Sequence, residues 1–397
     1  MSGAMIPLTE WIWDYGETRA RKVNSSVTEF LQRPAPVLGR FHILALPRDK
    51  FMPTLEPVCN EFLERNFVPY EFLLERDQSV NHGFGAFSDA GNQRKVTWMR
   101  LVSKSVQVNR DEKGRPVSVA TPVTSNAKEW DRSWFNFAFV LIEEKDMNNG
   151  NDRTTLLCFD APPTLLKEFN DLKLAEAQQN DAYFILTIIL QELFTVMDNV
   201  AWTLADVFRG VEKDTLERTA HDKRVGKSIN FSELHNISKH QIYLSEAFQA
   251  AQYMIGDIFR SYEDRLRKKT IQGAQNVEQK FLHISRMFKA THLRLASLEK
   301  RVANITSLAF NIVTQDDSSS MHTIALITLV FLPSTLIATV FSSSFFDFSI
   351  GNADGASIHL SSLFWVFWVI AIPVTAVVVY LWWNFSPRKK AERRSLA

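Results

Sequence analysis

Cysteine is nearly absent: Cys59 and Cys158 are the only two in 397 residues. Two thiols cannot build a disulfide framework, so the bulk of the chain is expected in a reducing compartment. Net charge is lacking as well, with 45 basic residues against 44 acidic and a formal +1. A balance so near zero argues against nucleic acid as a partner, which calls for a clearly basic domain. The start, Met1-Ser2-Gly3-Ala4, has no basic stretch leading into an apolar run, so a cleaved secretory signal is not expected. Glu10, Asp14 and Glu17 argue against a transit peptide, whose helix is poor in acids. Catalytic patterns are missing too. Gly83-Phe84-Gly85 is followed neither by Gly-Lys-Ser/Thr nor by a third spaced glycine, so it is no phosphate loop. His235 and His240 are five apart and do not share a helix face as a metal pair would. Neither an enzyme activity nor a prosthetic group is expected.

The most telling absence is local. Residues 318–387 hold no Lys or Arg and only two acids, Asp347 and Asp354, although 22% of the chain is charged. A mean hydropathy of −0.12 therefore averages a charged body with an apolar block. Within that block, residues 324–341 and 363–383 are uncharged runs of 18 and 21. At ~1.5 Å per residue they reach ~27 and ~31 Å, the thickness of a bilayer's hydrocarbon core. One central Asp or Lys would cost about 2.5–3.5 kcal/mol on insertion, and neither run has one. Trp365, Trp368, Trp382 and Trp383 lie toward the ends of the second run, where indoles favour the interface. Pro333 and Pro373 would stop a soluble helix but are tolerated in spans. The basic tail Arg388-Lys389-Lys390 and the basic residues before the first span, Lys289, Arg294, Lys300 and Arg301, put both termini in the cytoplasm. The connecting loop then lies outside. The shorter apolar run at residues 183–190 is followed by Gln191, Glu192 and Asp198, and reads as a core helix.

The body divides by pattern. Val, Ile, Phe and Thr concentrate at residues 41–46, 95–108, 134–143 and 154–159, which predicts a mixed sheet with a helix near residues 52–65. Asn148-Asn149-Gly150-Asn151 predicts a hairpin turn between the last two strands. After Pro162-Pro163 the strand signal stops, and residues 165–211 and 232–269 predict long helices. The expected organisation is an α+β cytoplasmic head at 1–162, a helical region at 163–273 and a stalk helix at 274–323. The first span at 324–341, an outer loop at 342–362, the second span at 363–385 and a basic tail at 386–397 complete it. Val277, Phe281, Ile284, Phe288, Thr291, Leu295, Leu298, Val302, Ile305, Ala309 and Ile312 alternate steps of four and three. This apolar seam predicts a coiled coil between copies, or else one face of a helix packed on its own head. No Pro or Gly interrupts residues 274–332, so the stalk is expected to run ~100 Å straight into the first span.

Polar residues in the first span are ordered. Thr328, Thr335, Thr339 and Ser342 share one helix face, and the same spacing adds Met321, Ala325 and Leu332. Such hydroxyls bond their own i−4 carbonyls, glue helices together, or line water. A single hairpin encloses no channel, so a water-lined reading needs several copies around an axis, each contributing a first span. Asp316 and Asp317 would ring the cytoplasmic mouth and concentrate cations there.

These residues resemble the CorA family of divalent-cation channels, which share the α+β head, stalk helix, two spans and basic tail. The match is most specific at MHTIALITLVFLPSTLIATVFSSSF, residues 321–345. Met321, Pro333, the run Thr335-Leu336-Ile337-Ala338 and Phe345 fall in register with the family's first span. Phe341 takes the Tyr position of the family's Tyr-Gly-Met-Asn-Phe signature, and Ser342, Ser343 and Ser344 stand for Gly-Met-Asn, as in divergent fungal members. The resemblance implies a homo-pentamer in a lipid bilayer, a pore lined by the first span, and Mg2+ or a related divalent cation as transported or regulatory ion. Asp347 and Asp354 are the only acids to supply charge at the outer loop. Two readings stay open: a passive divalent-cation channel, and a non-conducting membrane-anchored sensor or scaffold that kept the CorA shell. The plasma membrane is the expected location, with the vacuole or another internal membrane as alternatives.

Overall fold

The computed structural model describes residues 6–33, 40–47, 57–78, 80–89, 91, 93–120, 134–145, 152–220, 229–268, 271, 273–342 and 362–385. Two compact units divide the chain, Met1–Thr306 and Ser307–Ala397.

The first unit is built on a seven-stranded sheet. Its strands are β1 (Pro7–Trp13), β2 (Arg21–Ser26), β3 (Phe41–Leu46), β4 (His82–Ser88), β5 (Arg94–Lys104), β8 (Trp134–Glu144) and β9 (Arg153–Phe159), in the order β2-β1-β3-β9-β8-β5-β4. Among the described residues only β3 and β9 pair in parallel; the other neighbours are antiparallel. The central strands are apolar on both faces because both are covered. On β8, Ala138, Val140 and Ile142 face a core shared with Phe30, Cys59, Phe62, Leu63 and Phe72. These last come from three short helices, α1 (Val27–Gln32), α2 (Pro57–Arg65) and α3 (Tyr70–Asp77). A capping box starts α1: Ser26 accepts from the Glu29 N–H while the Glu29 carboxylate accepts from the Ser26 N–H. On the opposite face Trp11 meets Phe169 edge-on at 5.5 Å and donates its indole N–H to Asn170 at 3.0 Å. Both partners lie on α4 (Pro163–Asp171).

The sequence patterning misses four strands. β1 breaks its apolar run with Glu10, which is fully buried yet bonded to Arg33 at 2.8 Å, Ser25 at 2.8 Å and His42 at 3.2 Å. Burial acts to raise the Glu10 pKa, but the hydrogen bonds from His42 and Ser25 outweigh it and hold the carboxyl below its ordinary value. β4 contains Gly83 and Gly85, and the close approach of its neighbours explains them. A Cβ on Gly85 would overlap the indole of its cross-strand partner Trp98, and one on Gly83 would overlap the Glu75 carboxylate. The stretch read as one strand at residues 95–108 is two: β5 ends at Lys104, and β6 (Val108–Arg110) pairs with β7 (Pro116–Val119) in a separate hairpin. Gly114, at φ +75°, makes the turn. The Asn148–Asn151 turn lies outside the described residues, but β8 and β9 are antiparallel neighbours as that turn requires.

Helices follow: α5 (Glu176–Gln179), α6 (Ala182–Ala220), α7 (Phe231–Lys268), α8 (Ala274–Phe341) and α9 (Ser362–Phe385). The helix expected at residues 165–211 is thus three helices, of which α6 is the long one. Although Ala182–Arg218 is long and apolar enough to cross a membrane, half of its apolar stretch is buried inside the chain. Tyr183, Ile185, Leu186, Ile189 and Leu190 are all in the core, as a core helix requires.

The seam of α8 follows the second of its two readings over residues 277–305, one face packed on its own chain. Val277, Phe281, Ile284, Phe288, Thr291, Leu295, Leu298, Val302 and Ile305 are all buried within one copy. Phe288 packs against Phe194 of α6 at 5.2 Å and Phe248 of α7 at 5.6 Å, and Phe281 meets Phe259 and Tyr262 of α7. The Thr291 hydroxyl donates to Asp198 at 2.6 Å, and Arg294 reaches the same carboxylate at 3.1 Å. The periodicity is real; its partners are the chain's own helices.

Candidate ion pathway

The last part of α8 carries the expected stripe. Met321, Ala325, Thr328, Leu332, Thr335 and Thr339 lie on this helix, Ser342 follows its last residue, and every one of them is exposed. Leu326, Leu329, Ser334 and Ile337 are half-buried, and Pro333 alone of Met321–Val340 is buried. Pro333 removes the N–H that the Leu329 carbonyl would otherwise receive, yet the helix continues through it. Val330 and Ser334 line a groove of about 590 Å³ shared with Trp368, Ala371, Ile372 and Thr375 of α9. One side of the first apolar segment is therefore turned to α9 and the stripe is not. Ser343, Ser344, Asp347 and Asp354 lie outside the described residues. Asp316 and Asp317 are on α8, with Asp317 exposed.

The hydroxyls have a defined orientation. Thr328 donates to the Ile324 carbonyl at 2.9 Å, Thr335 to Phe331 at 2.8 Å and Thr339 to Thr335 at 2.8 Å. Each proton is engaged by the helix's own backbone, so the oxygen's lone pairs are what the side chain offers to its surroundings. A surface of this kind is a set of weak oxygen ligands with no fixed charge.

The same spacing continues below the stripe, through Ser318, Thr314, Asn311 and Ser307, all exposed. Four more hydroxyl and amide side chains thus extend the polar face toward the start of the second unit. The signal was in the sequence, but at these heights the apolar seam two residues away, about 200° around the helix, dominates the pattern.

Among the described residues no group of three or more His, Cys, Asp or Glu side chains is placed to hold a metal ion. A polar cluster of the first unit joins the helices to the sheet. Arg265 of α7 pairs with Glu143 of β8, and Tyr262 donates to Asp181 at 2.8 Å. Burial raises the Asp181 pKa despite that bond. Lys104, over the Trp134 ring at 4.4 Å, is pushed down to about 8 by burial and by the neighbouring Lys239.

The apolar segments of the second unit are uncovered to an extent that water does not tolerate. Ile324, Phe331, Leu332, Leu336, Trp365, Val369, Ile372 and Tyr380 are each at least 60% exposed. Contiguous apolar surface of this size marks contact with lipid or with partners. Residues 156–389, which include both apolar segments and the helices that precede them in the chain, match the family described as CorA-like Mg2+ transporter protein. The chain belongs to this CorA-like family. Its fold is similar to full-length CmaX, at 14% identity over 97% of this chain and 98% of that one, with a TM-score of 0.56. It is likewise similar to the complete CorA magnesium transporter of Methanocaldococcus jannaschii, at 10% identity over 96% and 98%, with a TM-score of 0.53. A curated relative, notoamide biosynthesis cluster protein M' of Aspergillus versicolor, is 27% identical over 215 residues. That alignment spans 47% of this chain and 45% of the relative. The CorA-like protein is an integral membrane protein with an α+β head, long helices and two apolar segments near its C-terminus.

Proposed function

We propose that this CorA-like protein conducts divalent cations of the Mg2+ class passively across a membrane, through an axis lined by the α8 stripe of several copies. The observation that carries this reading is the exposed face from Met321 to Ser342, whose threonine protons are engaged internally and whose oxygens point away from the helix. Conduction needs ligands weak enough to release the ion, and hydroxyl oxygens meet that need better than carboxylate cages. Asp316 and Asp317 concentrate cations at the cytoplasmic mouth, with Asp347 and Asp354 in the outer loop. The force is the membrane potential, ~2.3 kcal/mol per charge per 100 mV. Both termini are cytoplasmic, the expected membrane is the plasma membrane, and the assembly is a homo-pentamer. With the apolar seam spent inside each copy, the contacts that hold copies together fall to exposed faces of α8 and its neighbours.

A second reading has its own observation. Ser342, Ser343 and Ser344 replace the Gly-Met-Asn turn and remove its amide, which fits a non-conducting sensor or scaffold. Flux of Mg2+, Co2+, Ni2+ and Zn2+ into proteoliposomes separates the two, with Thr335→Leu as control. Flux that the control abolishes supports the channel. No flux above empty vesicles sinks it in favour of the scaffold.

A further inference from the structure

Away from the membrane, the first unit holds a cleft of about 280 Å³ between α4, α6 and α8. Its polar walls are Glu168, Thr187, Gln191, Glu192, Lys280 and His283. Ile188 and Ile284 form an apolar floor. Both signs of charge line this one small space. Yet among the described residues Lys280 pairs with neither Glu168 nor Glu192; its ammonium rests 4.3 Å over the Phe184 ring instead. Burial lowers the Lys280 pKa, as it does for an ammonium without a carboxylate partner. Thr187 is buried and its proton is given to the Phe184 carbonyl at 2.7 Å, so it presents an acceptor to the cleft.

The charges discriminate among ligand classes. A lone metal cation would sit against Lys280, and the carboxylates are not gathered closely enough for metal coordination. A lone anion would face Glu168 and Glu192. A molecule carrying both an ammonium and a carboxylate satisfies both walls, and charge-assisted hydrogen bonds of this kind are the strong ones. The volume is at the small end for ligand sites and equals about nine waters at ~30 Å³ each.

We propose that this cleft binds a small zwitterion of the α-amino-acid class, its carboxylate on Lys280 and its ammonium on Glu192 and Glu168. Gln191 and Thr187 offer further acceptors to the ammonium, and His283 stands at the cleft beside Lys280. The site is independent of conduction, because binding is measured directly on the detergent-solubilised full chain.

The test is isothermal titration with glycine, L-alanine, L-serine and L-glutamine, alongside inorganic phosphate and MgCl2 as single-sign probes. Lys280→Met keeps an unbranched side chain of similar length, and Glu192→Gln keeps the shape, so both variants should fold; unfolding curves matching the parent chain verify this. The expected result is binding of at least one amino acid, weakened about tenfold or more in each variant, as loss of one charged hydrogen bond implies. Absence of binding by all four amino acids overturns the proposal. So does amino-acid binding that neither variant alters. Phosphate binding lost in Lys280→Met, or Mg2+ binding lost in Glu192→Gln, without amino-acid binding, would make the cleft a single-sign site and equally overturn it.

Discussion

Truncating Phe288 separates the two partners a heptad seam can have. The side chain is fully buried, edge-on to Phe194 at 5.2 Å and tilted against Phe248 at 5.6 Å. Phe→Ala in a core costs about 3–5 kcal/mol. Two aromatic pairs, each adding ~0.5–1.5 kcal/mol beyond area, place this site in the upper half of that range. The unit Met1–Thr306 unfolds with an entropy of ~2.1 cal/mol/K per residue, or roughly 0.64 kcal/mol per degree. A loss of about 4–5 kcal/mol then lowers Tm by roughly 6–8 °C. Leu293 lies on the same helix but is 64% exposed, so Leu293→Ala should leave Tm unchanged. The assay is near-UV circular dichroism of the detergent-solubilised chain, with light scattering for mass. If Phe288→Ala keeps the parent Tm but reduces the mass of the assembly, the seam binds other copies and the packing argument is refuted.

Thr335→Val keeps the shape of the stripe but removes its lone pairs, and should cut Mg2+ flux in proteoliposomes about tenfold, the loss of one weak ligand. Glu10→Gln breaks a buried ion pair with Arg33 and should cost about 3 kcal/mol, read by chemical denaturation. Because the folded Glu10 pKa is below its ordinary value, its stabilisation is present above the ordinary glutamate range and disappears as pH falls through the folded pKa. The Glu10→Gln chain should therefore lose less stability than the parent on acidification from pH 7, measured by thermal unfolding. Gly85→Ala meets the rigid Trp98 ring and should cost about 1–3 kcal/mol, while Gly83→Ala meets only the end of a flexible glutamate and should cost less.

What the sequence disclosed and what it hid follow one physical rule. Features that depend on local composition were legible: the uncharged runs, the hydroxyl spacing of the stripe, the helix that runs unbroken from Ala274 to Phe341. Features that depend on what lies opposite were not. The spacing of Phe281, Phe288 and Leu295 announces an apolar face, but no period says whether α6 and α7 or another copy will cover it. β1 was hidden by Glu10, whose hydrogen-bond partners Arg33 and His42 lie 23 and 32 positions away. β4 was hidden by two glycines, which dilute its apolar pattern and prove to be space for Trp98 and Glu75. β2, Arg-Lys-Val-Asn-Ser-Ser, is an edge strand with little apolar content to betray it.

The bonds from Thr328, Thr335 and Thr339 to their own backbone carry a consequence for what such a wall can tell apart. With every one of these protons turned inward, these threonines offer chloride or phosphate no donor. With no carboxylate between Met321 and Ser342, this stretch carries no fixed negative charge to hold a doubly charged ion tightly. In the proposed pore such a wall would favour cations over anions while holding them weakly. If the stripe lines the proposed pore, tighter binding of divalent ions falls to the acids that flank it in the sequence, Asp316 and Asp317 on one side and Asp347 and Asp354 on the other.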